Sequence, residues 1–231
     1  MATQTECKLI LVRHSLPQMV AGVPASRWQL SDEGRRRCEM LARRLAAYSP
    51  TVIVSSREPK ALETGQIVAD LLGLPFEAAD DLHEHEREVV KSIGSREEFQ
   101  AHVASFFEHP GELVFGHETA DQAHTRFAAA IAAVSEQHPG DNPSSSSGRS
   151  LAVVTHGTIM TLFVARANGL DPVPFWKSLG LPAFAVLSLP ELDLLEVVEN
   201  VESTAQYPIS NIQYPIPNTR SPACPDLRNE V

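Results

Sequence analysis

The sequence predicts an α/β fold: a three-layer α/β/α sandwich with a mostly parallel sheet and a helical excursion over the active end. Two short apolar runs, residues 9–12 and 151–154, carry this prediction, because such runs are typical of parallel strands buried on both faces. Arg13 and His14 follow the first run, and His156 closes the second. The carboxyl ends of parallel strands line a binding crevice, so we expect the two imidazoles and the guanidinium to meet around one ligand.

The length and composition predict one α/β domain. We expect residues 1–202 to form a single domain, and residues 203–231, with five prolines and little periodicity, to form an irregular tail. No stretch approaches the roughly 18 consecutive apolar residues of a membrane span. The first seven residues lack the basic and apolar regions of a secretion signal, which favours a cytoplasmic location.

The charge and the cysteines bear on the class of partner. A net charge of −10 disfavours nucleic acid and anionic membranes, because binding to a polyanion requires an excess of Lys and Arg. Cys7, Cys38 and Cys224 are scattered and odd in number, so neither a disulfide framework nor a zinc motif is indicated. An anionic ligand would have to be captured locally, by individually placed cations.

Strand and helix signals alternate in the first part of the chain. Ser31 can cap a helix whose apolar residues recur at helical spacing as far as Ala46. A second strand over residues 52–54 precedes a helix over about residues 59–72, which Gly73 ends. This order is typical of βαβ units and a doubly wound sheet.

Helices and loops dominate the middle of the chain. Ser95 opens a helix to about Glu108, and Thr119 opens another. Residues 139–150, with four consecutive serines, predict a flexible surface loop. A helix over about residues 158–168 and two strands, residues 184–189 and 194–198, complete the domain.

Five short motifs occur at the ends of these predicted elements. They are Arg13-His14, Leu30-Ser31-Asp32-Glu33-Gly34, Ser55-Ser56 with Ala61-Leu62-Glu63-Thr64, Leu82-His83-Glu84, and Thr155-His156-Gly157. In this order they resemble the histidine phosphatase superfamily, the phosphoglycerate-mutase-like proteins, over about residues 8 to 198. Each motif alone is weak, but five in the right order on the right elements make the assignment strong.

The resemblance implies a catalytic role for each of these side chains. Neutral His14 would attack phosphorus and become phosphohistidine, while Arg13 binds two phosphoryl oxygens with its planar fork. His156, with Gly157 and the free N–H groups of the helix that follows, would donate to another oxygen. Glu84, protonated at the first step, would give its proton to the leaving alcohol and later take one from water. No metal or other cofactor is required.

One phosphate-binding cation departs from the family pattern. The second motif usually reads Ser-Ser-x-x-x-Arg-Ala, whereas Lys60 occupies the arginine position here and Arg57 lies three residues earlier. Lysine supplies charge without the bidentate fork. We favour Lys60 as the second phosphate-binding cation because its spacing from Ala61 and Thr64 keeps the family register, and Arg57 stays open as the alternative.

The residues around Glu84 allow other interpretations. Glu86 and Glu88 lie close to Glu84, and a solvated loop explains both of them. His83 and His85 form a His-x-His pair that could bind a metal, but no motif identifies further ligands. We instead expect His85, together with Arg87, to border the substrate pocket.

Three further residues are candidates for the substrate pocket. Ser15 replaces the Gly or Ala that usually follows the family's Arg-His, a mild departure. Arg27 and Trp28 lie in the loop after His14, where a cation and an aromatic ring could contact an organic substrate, although Trp28 could equally anchor the loop.

The segment Gly116-His117-Glu118-Thr119 is similar to the family's Gly-Glu-Ser segment, with one residue inserted before Glu118. Because the match is imperfect, we assign this segment no catalytic role.

The sequence therefore predicts a metal-independent phosphomonoester hydrolase of the histidine phosphatase type, acting through phospho-His14 on a small phosphorylated substrate. A phosphomutase is the first alternative, although the basic insertion it would need is not identifiable. The second is a phosphate-ligand or protein-binding module with little turnover, which would need neither His14 nor Glu84. The leaving group is not identified by the sequence, and a homo-oligomer stays open.

Overall fold

The computed structural model describes residues 7–87, 95–138 and 150–202. These residues contain six strands: β1 (Cys7–Arg13), β2 (Pro50–Ser56), β3 (Phe76–Ala79), β4 (Ser150–Thr155), β5 (Ala183–Leu189) and β6 (Leu194–Val198). They also contain six α-helices: α1 (Asp32–Leu45), α2 (Pro59–Leu72), α3 (Arg96–Glu108), α4 (Ala120–Gln137), α5 (Gly157–Asn168) and α6 (Pro172–Ser178). The predicted tail and all but the last residue of the serine-rich loop lie outside the described residues.

The strands form one sheet in the order β3-β2-β4-β1-β5-β6. The first four strands of this order are parallel, and β5 and β6 run antiparallel to their neighbours. The sheet is therefore mostly parallel, as predicted. β1 and β4 lie side by side in register, with Arg13 opposite Thr155. The two sequence positions that follow these strands, His14 and His156, consequently emerge at the same edge.

Helices cover both faces of the sheet. Ile10 and Val12 of β1 pack with α1 and α2 on one face, whereas Leu9 and Leu11 pack with α3, α4, α5 and α6 on the other. Alternate residues of a strand point to opposite faces, so a strand that is apolar at every position requires this arrangement. The predicted three-layer sandwich is confirmed.

Local capping explains where most helices begin. The Ser31 hydroxyl accepts from the Gly34 amide at the start of α1, and Ser95 does the same for α3. Thr119 and Gln122 form a reciprocal capping box at the start of α4. Gly73 ends α2 with a φ of 65°, a left-handed conformation that glycine adopts without steric cost. These predicted boundaries are confirmed.

The sequence pattern did not predict two short elements, β3 and α6. β3 has four residues and pairs only with β2, at the edge of the sheet. α6 has seven residues, too few to show a helical period, although Asp171 caps it and Pro172 begins it. Among the described residues, no helix is both long and apolar enough to cross a membrane.

Candidate active site

His14 lies immediately beyond β1 and is fixed by two hydrogen bonds. Its backbone N–H donates to the Thr155 carbonyl at 2.9 Å, which ties it to the end of β4. Its ring Nδ1 lies 2.7 Å from the Ser15 carbonyl oxygen, and because that oxygen only accepts, Nδ1 carries the proton. In the neutral ring, Nε2 therefore keeps its lone pair, which is the form a nucleophile requires.

The surroundings keep the His14 ring neutral. Burial lowers its pKa to about 3, with the Lys60 ammonium the next largest contribution in the same direction. The side chain is 7% exposed. Near pH 7, His14 is thus a neutral imidazole, protonated on Nδ1 alone, in a cationic environment.

Arg13 lies beside His14 with one edge of its guanidinium committed to the protein. Nη1 donates to the Leu179 carbonyl, while Nε is buried and has no hydrogen-bond partner among the described residues. Burial lowers the Arg13 pKa to about 10, partly offset by Glu84, so the group remains charged at neutral pH. The guanidinium packs directly over Gly157: a Cβ there would lie 2.8 Å from Nε. A glycine at 157 is what allows Arg13 into the site.

The His156 ring lies across the site from His14. The two ring centroids are 5.1 Å apart in an edge-to-face arrangement. His156 is fully buried, with Nε2 2.9 Å from the Ser56 hydroxyl and Nδ1 without a partner among the described residues. Burial, followed by the charge of Lys60, holds the His156 pKa well below its ordinary value, so this ring is also neutral.

Glu84 caps the N-terminus of α5 from the loop after β3. Its carboxylate accepts the backbone N–H groups of Thr158, Ile159 and His85 at 3.0 to 3.1 Å. Arg87 Nη2 lies 3.7 Å from Oε2. Burial alone would raise the Glu84 pKa, but Arg87 and these N–H groups outweigh it and lower the pKa to about 2.

This geometry corrects two expectations. The N–H groups of Thr158 and Ile159 in the first turn of α5 are already bound to Glu84, so they are not free for a phosphoryl oxygen. The second concerns Glu84: its lowered pKa makes it a carboxylate near pH 7 in the unliganded site, so the acid form that the first step requires has to arise when substrate binds. Sequence spacing placed the carboxylate correctly at the site but gave no information on its protonation.

Lys60 and Arg57 occupy very different environments. Lys60 is 5% exposed at the start of α2, and its ammonium donates to the Ala25 carbonyl at 2.7 Å and to the Glu58 carboxylate. Its charge lowers the pKa of both His14 and His156. The Arg57 side chain is 60% exposed and pairs with Asp80. The structure thus brings Lys60, and not Arg57, to the two histidines.

Two polar residues of the second-motif segment reach the site without having been assigned a role from the sequence. Ser56 places its hydroxyl on His156, as described above. Glu58 is 11% exposed and contacts Lys60, the Glu84 backbone N–H at 3.0 Å and His156 Nε2 at 3.6 Å. Ser56 belongs to the matched Ser-Ser pair and Glu58 lies between the two matched parts of the motif; these positions were the available signal.

A charged pair outside the site holds the loop that carries Glu84. Arg126 of α4 binds both carboxylate oxygens of Glu118 and donates to the backbone carbonyls of Asp81, His83 and Glu84. Glu118 also accepts the backbone N–H of Glu86. Glu118 lies in the segment to which the sequence assigned no catalytic role, and its role in the structure is to position this loop.

Two expected pocket residues are used elsewhere in the protein. Ser15 is fully buried; its hydroxyl donates to the Gly34 carbonyl and its N–H donates to Thr64, so it joins β1 to α1 and α2. His85 is 2% exposed, and its ring stacks on Phe106 with centroids 4.1 Å apart. The pocket assignment was therefore wrong for both residues, because the sequence does not reveal the direction in which a loop side chain points.

The other expected pocket residues lie nearer the surface. Arg87 is 19% exposed, and its guanidinium stands over the Phe99 ring at 4.9 Å while facing Glu84. Trp28 donates its indole N–H to the Val23 carbonyl, as a loop anchor does. Arg27 is exposed in the short 3-10 turn Ala25–Arg27, whose Ala25 carbonyl binds Lys60. Of the three, Arg87 is the one in contact with a site residue.

The metal alternative has no support in the described geometry. His85 is packed against aromatic rings, while His83 Nε2 lies 3.3 Å from the Glu86 carboxylate. Across the described residues, no group of three or more His, Cys, Asp or Glu side chains is arranged to hold a metal ion. Glu86 is half exposed, and Glu88 lies outside the described residues.

The site thus consists of paired histidines at the ends of adjacent parallel strands, with an arginine and a buried carboxylate beside them, in an α/β sandwich. The sequence model of the histidine phosphatase superfamily (branch 1) matches residues 9–190. This match spans most of the chain, and the protein belongs to that superfamily. No curated protein matches the chain in sequence.

Solved structures with the same fold include several phosphatases. The mycobacterial glucosyl-3-phosphoglycerate phosphatase superposes with a TM-score of 0.62 at 20% identity, covering 78% of this chain and 89% of that one. The alpha-ribazole phosphatase from Shigella flexneri gives 0.61 at 19% identity, covering 87% and 100%. YhfR from Bacillus stearothermophilus gives 0.61 at 20% identity, covering 84% and 96%. At this level of identity the likeness shows the shared fold.

Proposed function

We propose that this protein is a metal-independent phosphomonoesterase that transfers the phosphoryl group of a small substrate to His14 and then to water. The observation that carries the proposal is the state of His14. Its Nδ1–H is held by the Ser15 carbonyl and its pKa is lowered to about 3, so Nε2 is an unprotonated nucleophile at neutral pH. Nucleophilic catalysis by histidine requires this protonation state.

In the first step, Nε2 of His14 attacks phosphorus, and the bond from phosphorus to the ester oxygen breaks. The unpartnered Nε of Arg13 and the ammonium of Lys60 offset the charge on the phosphoryl oxygens. Nε2 of His156 lies 2.9 Å from the Ser56 hydroxyl, and its Nδ1 has no hydrogen-bond partner among the described residues. In the tautomer with the proton on Nδ1, His156 donates this N–H to a third phosphoryl oxygen.

Glu84 donates a proton to the leaving alcohol in the first step and accepts a proton from water in the second. In the unliganded site it is a carboxylate, the form that accepts a proton from the water attacking phosphohistidine. To protonate the leaving alcohol it must first gain a proton. An incoming phosphoryl dianion beside Glu84 raises the carboxyl pKa, because a neighbouring like charge disfavours ionisation. A substrate that enters as the monoanion also brings a proton, since the second phosphate pKa is about 6.

The proposal is tested with an aryl phosphate in excess chelator. We expect steady release of phosphate and an acid-labile, base-stable phosphoenzyme trapped by rapid quenching. Hydrolysis that appears only after zinc or manganese is added would contradict the metal-independent mechanism. Tight phosphate binding without turnover would instead identify a binding module, and transfer of the phosphoryl group to a second alcohol would identify a mutase.

A further inference from the structure

The site contains a second buried carboxylate that the proposed reaction does not use. Glu58 is 11% exposed and precedes α2, yet its side chain accepts no backbone N–H from the first turn of that helix. Instead, Oε2 accepts from the Lys60 ammonium, and Oε1 accepts the Glu84 backbone N–H at 3.0 Å. Oε1 also lies 3.6 Å from Nε2 of His156. Helix capping therefore does not account for this carboxylate.

Glu58 faces two of the groups proposed to hold the phosphoryl oxygens, Lys60 and His156. A phosphate dianion that approaches Lys60 meets a negative charge already bound to the same ammonium. Lys60 has three N–H donors, of which one is given to Ala25 and one to Glu58. One Lys60 N–H donor remains for a phosphoryl oxygen. The negative charge of Glu58 repels the phosphate that would accept this hydrogen bond.

The net charge of the site is small, so the repulsion between Glu58 and a bound phosphate has a large effect. Arg13, Lys60 and Arg87 supply three positive charges, and Glu58 and Glu84 supply two negative ones. The two histidines are neutral. Removing one carboxylate would double the net positive charge that these side chains present to a dianion.

We propose that Glu58 is a positioning and affinity-setting residue of the phosphate site. It holds the Lys60 ammonium against the start of α2 and competes with bound phosphate for that ammonium, so that free phosphate binds weakly and is released readily. The inference rests on the proposed function because it treats Lys60 and His156 as phosphate ligands. It adds that the phosphoryl group alone is a poor anchor, so a substrate must gain affinity from its leaving group.

The test is a calorimetric titration of inorganic phosphate into the full chain at pH 7.5 and low salt. Glu58→Gln removes the charge, while its amide oxygen can still accept from Lys60 or from the Glu84 N–H. We expect phosphate to bind about 10-fold more tightly to Glu58→Gln than to the parent protein, the scale of one charge acting on a dianion a few ångströms away in a partly screened site. Phosphate should inhibit turnover more strongly in the same proportion.

Glu63→Gln is the matched control. Glu63 lies on the same helix and pairs with a cation, Arg35 of α1, and it is not among the main groups that shift the pKa of His14 or His156. Its substitution should change phosphate affinity less than 2-fold. Glu58→Ala removes the same charge without the amide and should also tighten phosphate binding, which keeps the test valid if Glu58→Gln does not fold. A purely structural role for Glu58 would weaken binding in both variants.

The titration separates this inference from the proposed function because it requires no turnover. Unchanged or weaker phosphate binding in the Glu58 variants would overturn the role of Glu58 even in an active phosphatase. Tighter binding in a protein that hydrolyses no phosphomonoester would support the role of Glu58 and contradict the hydrolase. If neither the parent nor Glu58→Gln binds phosphate, the role of Glu58 is also refuted.

Discussion

The two halves of the site are held in place by different forces. His14 and His156 follow β1 and β4, whose backbones hydrogen-bond in register between the two helical layers. Glu84 and Arg87 lie on the loop after β3, which is held by side chains, chiefly Arg126 of α4. The strand half is therefore fixed by the ladder of the sheet, and the loop half depends on a few charged groups.

This difference indicates how each half responds to substitution. A change at the end of β1 or β4 removes a chemical group and leaves the scaffold intact, because the backbone hydrogen bonds remain. A change at Arg126, which lies on the outer side of the loop, removes the support of Glu84 without touching the reacting atoms.

The strand half gives the largest expected effect. His14→Ala removes the proposed nucleophile and should lower kcat by about 10⁴-fold or more, the scale seen when a nucleophile is deleted. Circular dichroism should show an unchanged fold, since the ring lies beyond the last residue of β1. Rapid-quench labelling should detect no phosphoenzyme in the variant. His109→Ala, on the exposed end of α3, is the control and should label normally; undiminished labelling of His14→Ala would refute the assignment.

A second comparison separates the two candidate cations of the α2 region. Lys60→Ala removes a buried ammonium beside both histidines and should lower kcat/KM by about 10²-fold, the scale of one preorganised donor. Lys60→Arg keeps the charge and should retain more activity than Lys60→Ala. Arg57→Ala, at a side chain 60% exposed and paired with Asp80, should change kcat/KM less than about 3-fold. The reverse ranking would show that Arg57 moves inward when substrate binds.

The contrast between the halves also explains how far the sequence could predict the site. The strand half was predictable because its signals are local: an unbroken apolar run and the residue that follows it. The helix ends were predictable for the same reason, since Ser31 and Thr119 act within one turn of chain. His14 and His156 needed only the rule that parallel strands end at one edge.

The loop half was less predictable because its side chains are oriented by distant groups. Glu84 and His85 are neighbours in sequence, yet one caps α5 and the other stacks on Phe106 in the core. The pKa of Glu84 depends on burial, on Arg87 and on backbone N–H groups, one of which belongs to Thr158, 74 residues away in the chain. Neither outcome is encoded in a local pattern.

The loop half is tested through Arg126. Arg126→Ala leaves the Glu118 carboxylate unpaired at 10% exposure and frees three loop carbonyls. We expect a loss of about 3 kcal/mol in the free energy of unfolding, the lower end of the range for breaking a buried ion pair. We also expect a fall in kcat of about 10-fold, because Glu84 is no longer held in position. Urea unfolding and steady-state kinetics measure the two effects.

Two further variants sharpen this test. Arg126→Lys restores the charge opposite Glu118 and should recover part of kcat. Arg166→Ala breaks the more exposed ion pair with Asp121, which lies in the first turn of α4. It should lower the free energy of unfolding by less than about 1 kcal/mol and leave kcat unchanged. If Arg126→Ala lost stability but kept its full kcat, the loop half would not depend on this charged pair for catalysis.

The smallest effect concerns the pH dependence of stability, which the two halves share. The folded-state pKa of His14 is about 3, below its ordinary value of 6.5, so as the pH falls below 6.5 the unfolded chain takes up a proton that the folded protein does not. The stability of the folded protein is therefore lost progressively between pH 6.5 and 3. Glu84, whose pKa is lowered from 4.5 to about 2, adds stability above pH 4.5 that is lost as the pH falls toward 2.

Between pH 4.5 and 6 the histidines of the strand half should dominate this dependence. His14→Asn should reduce the slope of the unfolding free energy against pH by about 1.4 kcal/mol per pH unit, the value for one proton. His109→Asn, at an exposed position, should leave the slope unchanged. Urea titrations at pH 4.5, 5, 5.5 and 6 measure both slopes. Equal slopes in the parent protein and His14→Asn would mean that His14 is protonated in the folded state, which would remove the main support for its role as the nucleophile.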